Sequence, residues 1–107
     1  MSEEYFFEFE NYSFDWNEEK NKANTKKHGI SFAEAAEVFD DPYCVIIPDT
    51  VHSYNEERFV VIGYNNNDRL LVVCFCERLR GKIIRIISAR KADTAERKCY
   101  ERGFWLW

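Results

Sequence analysis

RFVVIGYNNNDRLLVVCFCERLRGKIIRIISARK, residues 58–91, decides the fold. It holds three apolar, β-branched runs, Arg58–Tyr64, Leu70–Cys76 and Ile83–Ala89, each the length of an ordinary strand. The polar NNNDR between the first two and Arg80-Gly81-Lys82 before the third are turn-forming. Loops this short join antiparallel neighbours, because a parallel crossover needs roughly a dozen residues or more. The stretch therefore predicts an antiparallel meander, with Tyr43–Ile47 as a shorter fourth strand.

Downstream, Asp93 or Thr94 caps a last helix that runs to about Gly103, and Asp93 and Glu96 have capping-box spacing. Upstream, Asp15 or Asn17 caps a helix whose first turn carries Glu18 and Glu19. Its last turn carries Lys26, Lys27 and His28 before Gly29, as the helix dipole favours. Ala23 is nearly its only apolar residue, so it is expected to be exposed or to set one face against something polar. Ser31-Phe32-Ala33-Glu34 opens a second helix, with Phe32, Ala35, Ala36 and Phe39 as its apolar stripe and Asp40-Asp41-Pro42 as its stop. Phe14–Trp16 reads as a short edge strand.

These elements predict an α+β fold: a small antiparallel sheet of three to four strands, two N-terminal helices and one C-terminal helix. At 107 residues the chain fits one domain, assigned to residues 13–107, with residues 1–12 as an N-terminal extension. The alternation in YFFEFENYSF allows part of that extension to be a strand.

No apolar run approaches the ~20 residues that span a bilayer. The acidic start, MSEEYFFEFE, lacks the layout of a secretory signal, so no membrane partner and a cytoplasmic location are expected. Cys44, Cys74, Cys76 and Cys99 lack metal-ligand spacing and are expected to be reduced thiols. A zinc site from His28, His52, Cys74 and Cys76 is poorly spaced, so neither a metal nor another cofactor is expected.

The net charge of −4 conceals an asymmetry. Residues 1–57 hold fourteen acids against four bases, a balance of −10, whereas residues 58–107 hold eleven bases against five acids, a balance of +6. Such a distribution fits a basic face for a polyanion, and equally a mixed, solvated surface.

His28 and His52 are the only histidines, the side chains that titrate nearest neutrality. Cleaving RNA without a metal requires a base for the 2′-hydroxyl, an acid for the 5′-oxygen and cations for the crowded phosphate. His28 with Lys27, Arg58, Arg85 and Arg90 offers these groups. Arg85 interrupts an apolar strand, so it needs an anion; a structural pair with Glu57 or Glu77 meets that need as well as a substrate does. Strict alternation points Ile83, Arg85 and Ile87 one way, and Ile84, Ile86, Ser88 and Arg90 the other. If Arg58–Tyr64 and Leu70–Cys76 pair through the NNNDR turn, Arg58, Glu57, Glu77 and Arg78 are expected to cluster at their outer ends, with ion pairing as the plain explanation.

FDWNEEKNKANTKKHGISFAEAAEVFDDP, then HSYNEERFVVIG, LLVVCFCER and RIISARKADTAERKCYE, resembles the BrnT family of bacterial toxins over Phe14–Glu101. The resemblance implies a RelE-like fold and a metal-independent ribonuclease that arrests translation and growth. It also implies neutralisation by a BrnA-like antitoxin, which alone contacts operator DNA. Carried over by position, Lys27 and His28 match the family's KHG block, Glu57 and Arg58 one ER pair, Glu77 and Arg78 the other, and Arg85, Ser88 and Arg90 the RIISAR strand. Arg58, Arg85 and Arg90 are the candidates for phosphate charge, His28 or Glu57 for proton transfer with Lys27 in support, and Arg78 and Ser88 for substrate binding. Thr25 departs from the family's leucine in the first helix, and both termini are unlike the family's short ends.

Three readings follow: a ribonuclease toxin; a non-catalytic module that binds the antitoxin as co-repressor; and, more weakly, a direct DNA binder. No helix concentrates enough Lys or Arg to act as a recognition helix.

Overall fold

The computed structural model describes residues 4–9, 12–51, 56–79 and 81–103, with residues 4–9 as a backbone path. His52, Arg80 and the Phe104–Trp107 tail lie outside the described residues. The elements run β1 Glu4–Phe9, β2 Tyr12–Asn17, α1 Glu18–His28, α2 Phe32–Ala36, a 3₁₀ turn Glu37–Asp40, β3 Val45–Pro48, β4 Arg58–Tyr64, β5 Leu70–Arg78, β6 Ile83–Lys91 and α3 Thr94–Arg102.

The described strands form one six-stranded sheet in the order β1-β2-β6-β5-β4-β3. The predicted antiparallel meander is present as β3–β6. The expected count of three to four strands is too low, and the sheet is mixed, because β2 runs parallel to β6. Phe14–Trp16 is therefore not an edge: β2 has β1 on one side and β6 on the other. Nor are the first two helices N-terminal, since two strands precede them. They carry the chain from β2 to β3 at the far edge of the sheet, and the meander then brings β6 back beside β2.

α1 is held by polar contacts, as its composition requires. Asn17 caps it by accepting from the Lys20 N–H, and Gly29 ends it with φ 71°, a left-handed conformation that suits glycine. Strand β2 pairs with β6 only over Ile83–Arg85, which leaves later β6 backbone groups needing partners. Asn24 supplies them: its amide donates to Ile30 O and Ala89 O at 2.9 Å each and accepts from the Ala89 N–H at 3.1 Å. Thr25, the departure from the family pattern, is exposed and donates to Asn21 O.

The main core lies between one sheet face and α2 with its 3₁₀ turn. Phe14, Trp16, Phe32, Val38, Phe39, Val61, Val73, Phe75, Ile84 and Ile86 are all buried there. Phe39 is its hub, with ring centroids 5.3 Å from Phe14 and 4.9 Å from Phe75. Each such pair contributes about 0.5–1.5 kcal/mol beyond area burial. The expected Phe32–Phe39 helix tightens into 3₁₀ from Glu37, and Phe39 still reaches the core.

Gly63 makes this close packing possible. A Cβ there would lie 3.1 Å from Cys44 Cβ and 3.2 Å from Val38 O, so β4 and the 3₁₀ turn meet where no side chain fits.

α3 covers part of the opposite face, where Cys99 and Tyr100 pack with Ile62, Leu70 and Val72. Asp41 ties the two layers, accepting from the Tyr64 N–H at 2.9 Å and the Tyr100 hydroxyl at 2.6 Å. Burial raises the Tyr100 phenol pKa, and the Asp41 carboxylate raises it further.

Candidate active site

The part of the second sheet face left open by α3 carries the basic residues. Strand register sets them in rows. Arg58 stands opposite Cys76, Cys76 opposite Arg85, and Arg85 opposite Asp15, across β4, β5, β6 and β2. The next rows set Val60 opposite Cys74 and Cys74 opposite Ser88, then Ile62 opposite Val72 and Val72 opposite Arg90.

This arrangement corrects the expected alternation of β6. The β5–β6 register shifts between Cys74 and Phe75, so Cys74 pairs with Ser88 while Phe75 pairs with Ile86, and Ile87 is the extra residue. A bulge of this kind restarts the alternation. Ser88 and Arg90 therefore share the face of Arg85, and Ala89 joins Ile84 and Ile86 in the core. Without the bulge Arg90 would point into the main core.

A cleft of about 300 Å³ opens on this face, lined by Asp49, Arg58, Val60, Val72, Cys74, Ile87, Ser88 and Arg90. An adjoining hollow of about 200 Å³ shares Asp49, Val60, Val72 and Arg90 and extends to Val51 and Glu96. Apolar walls with a few convergent polar groups are usual for a binding site.

Arg90 and Arg85 are oriented by carboxylates. Arg90 donates from Nη1 to Glu96 Oε1 at 2.7 Å and from Nη2 to Glu96 Oε2 at 2.6 Å. Its side chain remains 46% exposed, so it still presents charge to the cleft. Glu96 raises the Arg90 pKa. For Glu96 burial acts the other way, but Arg90 and the Asp93 N–H outweigh it and hold the carboxyl below its ordinary range. Arg85 lies 3.3 Å from Asp15, both largely buried. That partner is Asp15, not the Glu57 or Glu77 considered from the sequence.

Burial pushes the Cys74 thiol up; Arg58 opposes and Asp49 adds to the rise. Burial likewise raises Cys76, with Glu56 adding and Arg78 opposing. Both stay protonated near neutrality and are poor nucleophiles.

The other sequence candidates are spread wider. Arg78 ends β5 two residues beyond Cys76, on the same face, and is exposed. Glu57 is exposed and shares one groove with Arg58, Pro48 and Thr50, and another with Phe59, Glu77 and Gly81. Lys27 is exposed and His28 half-buried at the end of α1, and neither lines the cleft holding Arg58 and Arg90. Among the described residues no three His, Cys, Asp or Glu side chains are grouped to hold a metal.

Sequence reasoning passed over Asp49 and Asp15. Asp49 falls between a short strand and a loop without motif context, and Asp15 was read as a helix cap. Glu96 was legible as a capping residue, but not as the Arg90 partner.

The model of the family "Ribonuclease toxin, BrnT, of type II toxin-antitoxin system" matches residues 16–96. The chain belongs to the BrnT ribonuclease toxin family. Membership brings an RNA target and a protein antitoxin as partner class. The 1.1 Å crystal structure of the Brucella abortus ribonuclease toxin BrnT is similar, with TM-score 0.56 and 25% identity. The match covers 74% of this chain and 94% of that one. A search of curated proteins found no match. The family match takes in Arg58, Ser88, Arg90 and Asp49 but begins after β1. Among the described residues no helix is long and apolar enough to cross a membrane.

Proposed function

We propose that this chain is an endoribonuclease toxin that cleaves RNA without a metal, arrests translation and growth from the cytoplasm, and is neutralised by a BrnA-like antitoxin that carries the operator-DNA contacts. The observation that supports it most is the convergence of Arg58, Ser88 and Arg90 on one cleft, with Arg85 in the row of Arg58, two strands across on the same face. Guanidinium groups bind phosphate with paired, charge-assisted hydrogen bonds, and a partly apolar cleft strengthens them. Arg58 and Arg90 would meet the non-bridging oxygens. Ser88 would donate to substrate, and Arg78 would extend the basic track. Arg85, anchored on Asp15, would add positive potential beneath. Lys27 and His28 sit apart, where they would meet a longer RNA rather than the cleaved bond.

One observation favours a second reading, a non-catalytic antitoxin-binding module: Arg85 and Arg90 already have carboxylate partners. Induced expression of wild type beside Arg58→Ala, with growth and total RNA followed over time, separates the two. Growth arrest with RNA loss for wild type alone supports the nuclease. Soluble, folded wild type that neither arrests growth nor degrades RNA supports the module.

A further inference from the structure

RNA cleavage at the 2′-hydroxyl needs a proton acceptor beside the cations. The side chains lining the cleft include three with a lone pair to offer: Asp49, Cys74 and Ser88. Burial keeps Cys74 a thiol, and a serine hydroxyl is a very weak base. Glu57 is exposed in neighbouring grooves, and His28 lies outside the cleft.

Asp49 is held where a base would be needed. Its N–H donates to Arg58 O at 2.7 Å, extending the β3–β4 ladder one step past Pro48 opposite Phe59. The backbone is thus fixed beside Arg58, and the half-buried side chain lines the cleft with Arg58, Ser88 and Arg90. Asp49 also lines the adjoining hollow with Arg90 and Glu96.

Resting on the ribonuclease reading above, we propose that Asp49 is the general base of the cleft. Its carboxylate takes the proton of the attacking 2′-hydroxyl. The O2′–P bond forms as the P–O5′ bond breaks, and the departing 5′-oxygen takes a proton from water. The products are a 2′,3′-cyclic phosphate and a 5′-hydroxyl end, with no change of oxidation state. Arg58 and Arg90 stabilise the charge on the phosphoryl oxygens while Asp49 moves the proton.

A merely structural Asp49, balancing the charge of Arg58, behaves differently. Neutralising it would then tighten RNA binding and leave turnover unchanged.

The test uses the purified full chain and a short RNA under single-turnover conditions, with a 2′-deoxy analogue of the same oligonucleotide to read binding. Asp49→Asn is expected to slow cleavage about 10²–10⁴-fold, the range for losing a general base, with analogue affinity kept or improved. Wild-type product should carry the cyclic phosphate. A wild-type rate in Asp49→Asn, or a loss of rate matched by loss of analogue binding, overturns the assignment. Asp49→Ser covers the case in which asparagine fails to fold, with the same two outcomes. Wild type that leaves RNA intact overturns the nuclease reading and this assignment together; an active wild type with an equally active Asp49→Asn overturns only the assignment.

Discussion

Arg90 and Glu96 meet end on, with both guanidinium nitrogens on both carboxylate oxygens at 2.7 and 2.6 Å, and so join the outer arginine of the cleft to the first turn of α3. Glu96 also completes the capping box: it accepts from the Asp93 N–H at 2.9 Å while Asp93 accepts from the Glu96 N–H at 2.8 Å. One residue therefore starts the helix and aims the arginine. Glutamine can keep the cap but not the charge. Glu96→Ala is expected to cost about 2 kcal/mol, combining a lost cap with a half-exposed pair. Glu96→Gln should cost roughly half of that, while both release Arg90. Urea unfolding of the two variants checks the ranking; equal losses would show that the Arg90 pair alone matters, and an undamaged Glu96→Gln that the cap alone does.

The same carboxyl makes stability depend on acid. Arg90 and the Asp93 N–H hold the folded Glu96 below its ordinary value of 4.5, against the opposing effect of burial. The contribution is fully present above that value and disappears as pH falls through the folded pKa. Thermal unfolding between pH 6 and the acid limit should show wild type losing more stability than Glu96→Gln. Parallel curves would remove Glu96 from the acid response.

Asn24 is the polar contact on which α1 depends. It serves the N–H and C=O of Ala89 and the C=O of Ile30, all with a side chain only 9% exposed as a residue. Asn24→Ala leaves these backbone groups short of partners in a buried position, at a cost of about 2–4 kcal/mol. Hydrogen exchange should rise at the Ala89 amide before it rises in β5. Unchanged protection at Ala89 would mean that another group takes over.

The parts of the fold that follow from local chemistry were legible in the sequence. β4, bounded by Glu57 and the NNNDR turn, coincides with the predicted Arg58–Tyr64, and the Asp93–Glu96 box opens α3 where its spacing required. What escaped was long-range. Nothing local in Ser13–Asp15 says that it pairs in parallel with Ile83–Arg85, because that pairing forms only once the whole β3–β6 meander has brought β6 back beside β2. The Ile87 bulge was equally hidden, since RIIS reads as regular alternation until a partner strand fixes its register. It is the bulge that turns Ser88 and Arg90 towards Arg58, so the basic residues were legible by type but not as a shared cleft. Asp49 became visible only when β3 was seen to end beside Arg58.

Gly63 belongs to the IG pair that ended the family's ER block, and its reason is steric. With Cys44 Cβ at 3.1 Å and Val38 backbone oxygen at 3.2 Å from the position of an added methyl, Gly63→Ala must push the 3₁₀ turn off β4. A loss of about 1–3 kcal/mol is expected, the usual cost of overpacking. Near-UV circular dichroism should change with it, because Phe39 rides on that turn. A stable variant with unchanged aromatic signals would show that the turn yields freely.

Arg58 and Arg85 should separate function from stability. Arg85 and Asp15 sit 3.3 Å apart with side chains 15% and 18% exposed, so Arg85→Ala strands a largely buried carboxylate. The expected cost is about 2–3 kcal/mol, somewhat below that of a fully enclosed pair. In a double-mutant cycle with Asp15→Asn, the two losses should fail to add by about 1–3 kcal/mol, as for residues in direct contact. Arg58, half-buried at the start of β4 and lining the cleft, should lose toxicity on conversion to alanine with a smaller loss of melting temperature than Arg85→Ala. If Arg85→Ala instead stays fully stable yet non-toxic, the Asp15 pair is dispensable and Arg85 acts on the substrate directly. If Arg58→Ala remains toxic, the cleft is not where this family member meets its RNA.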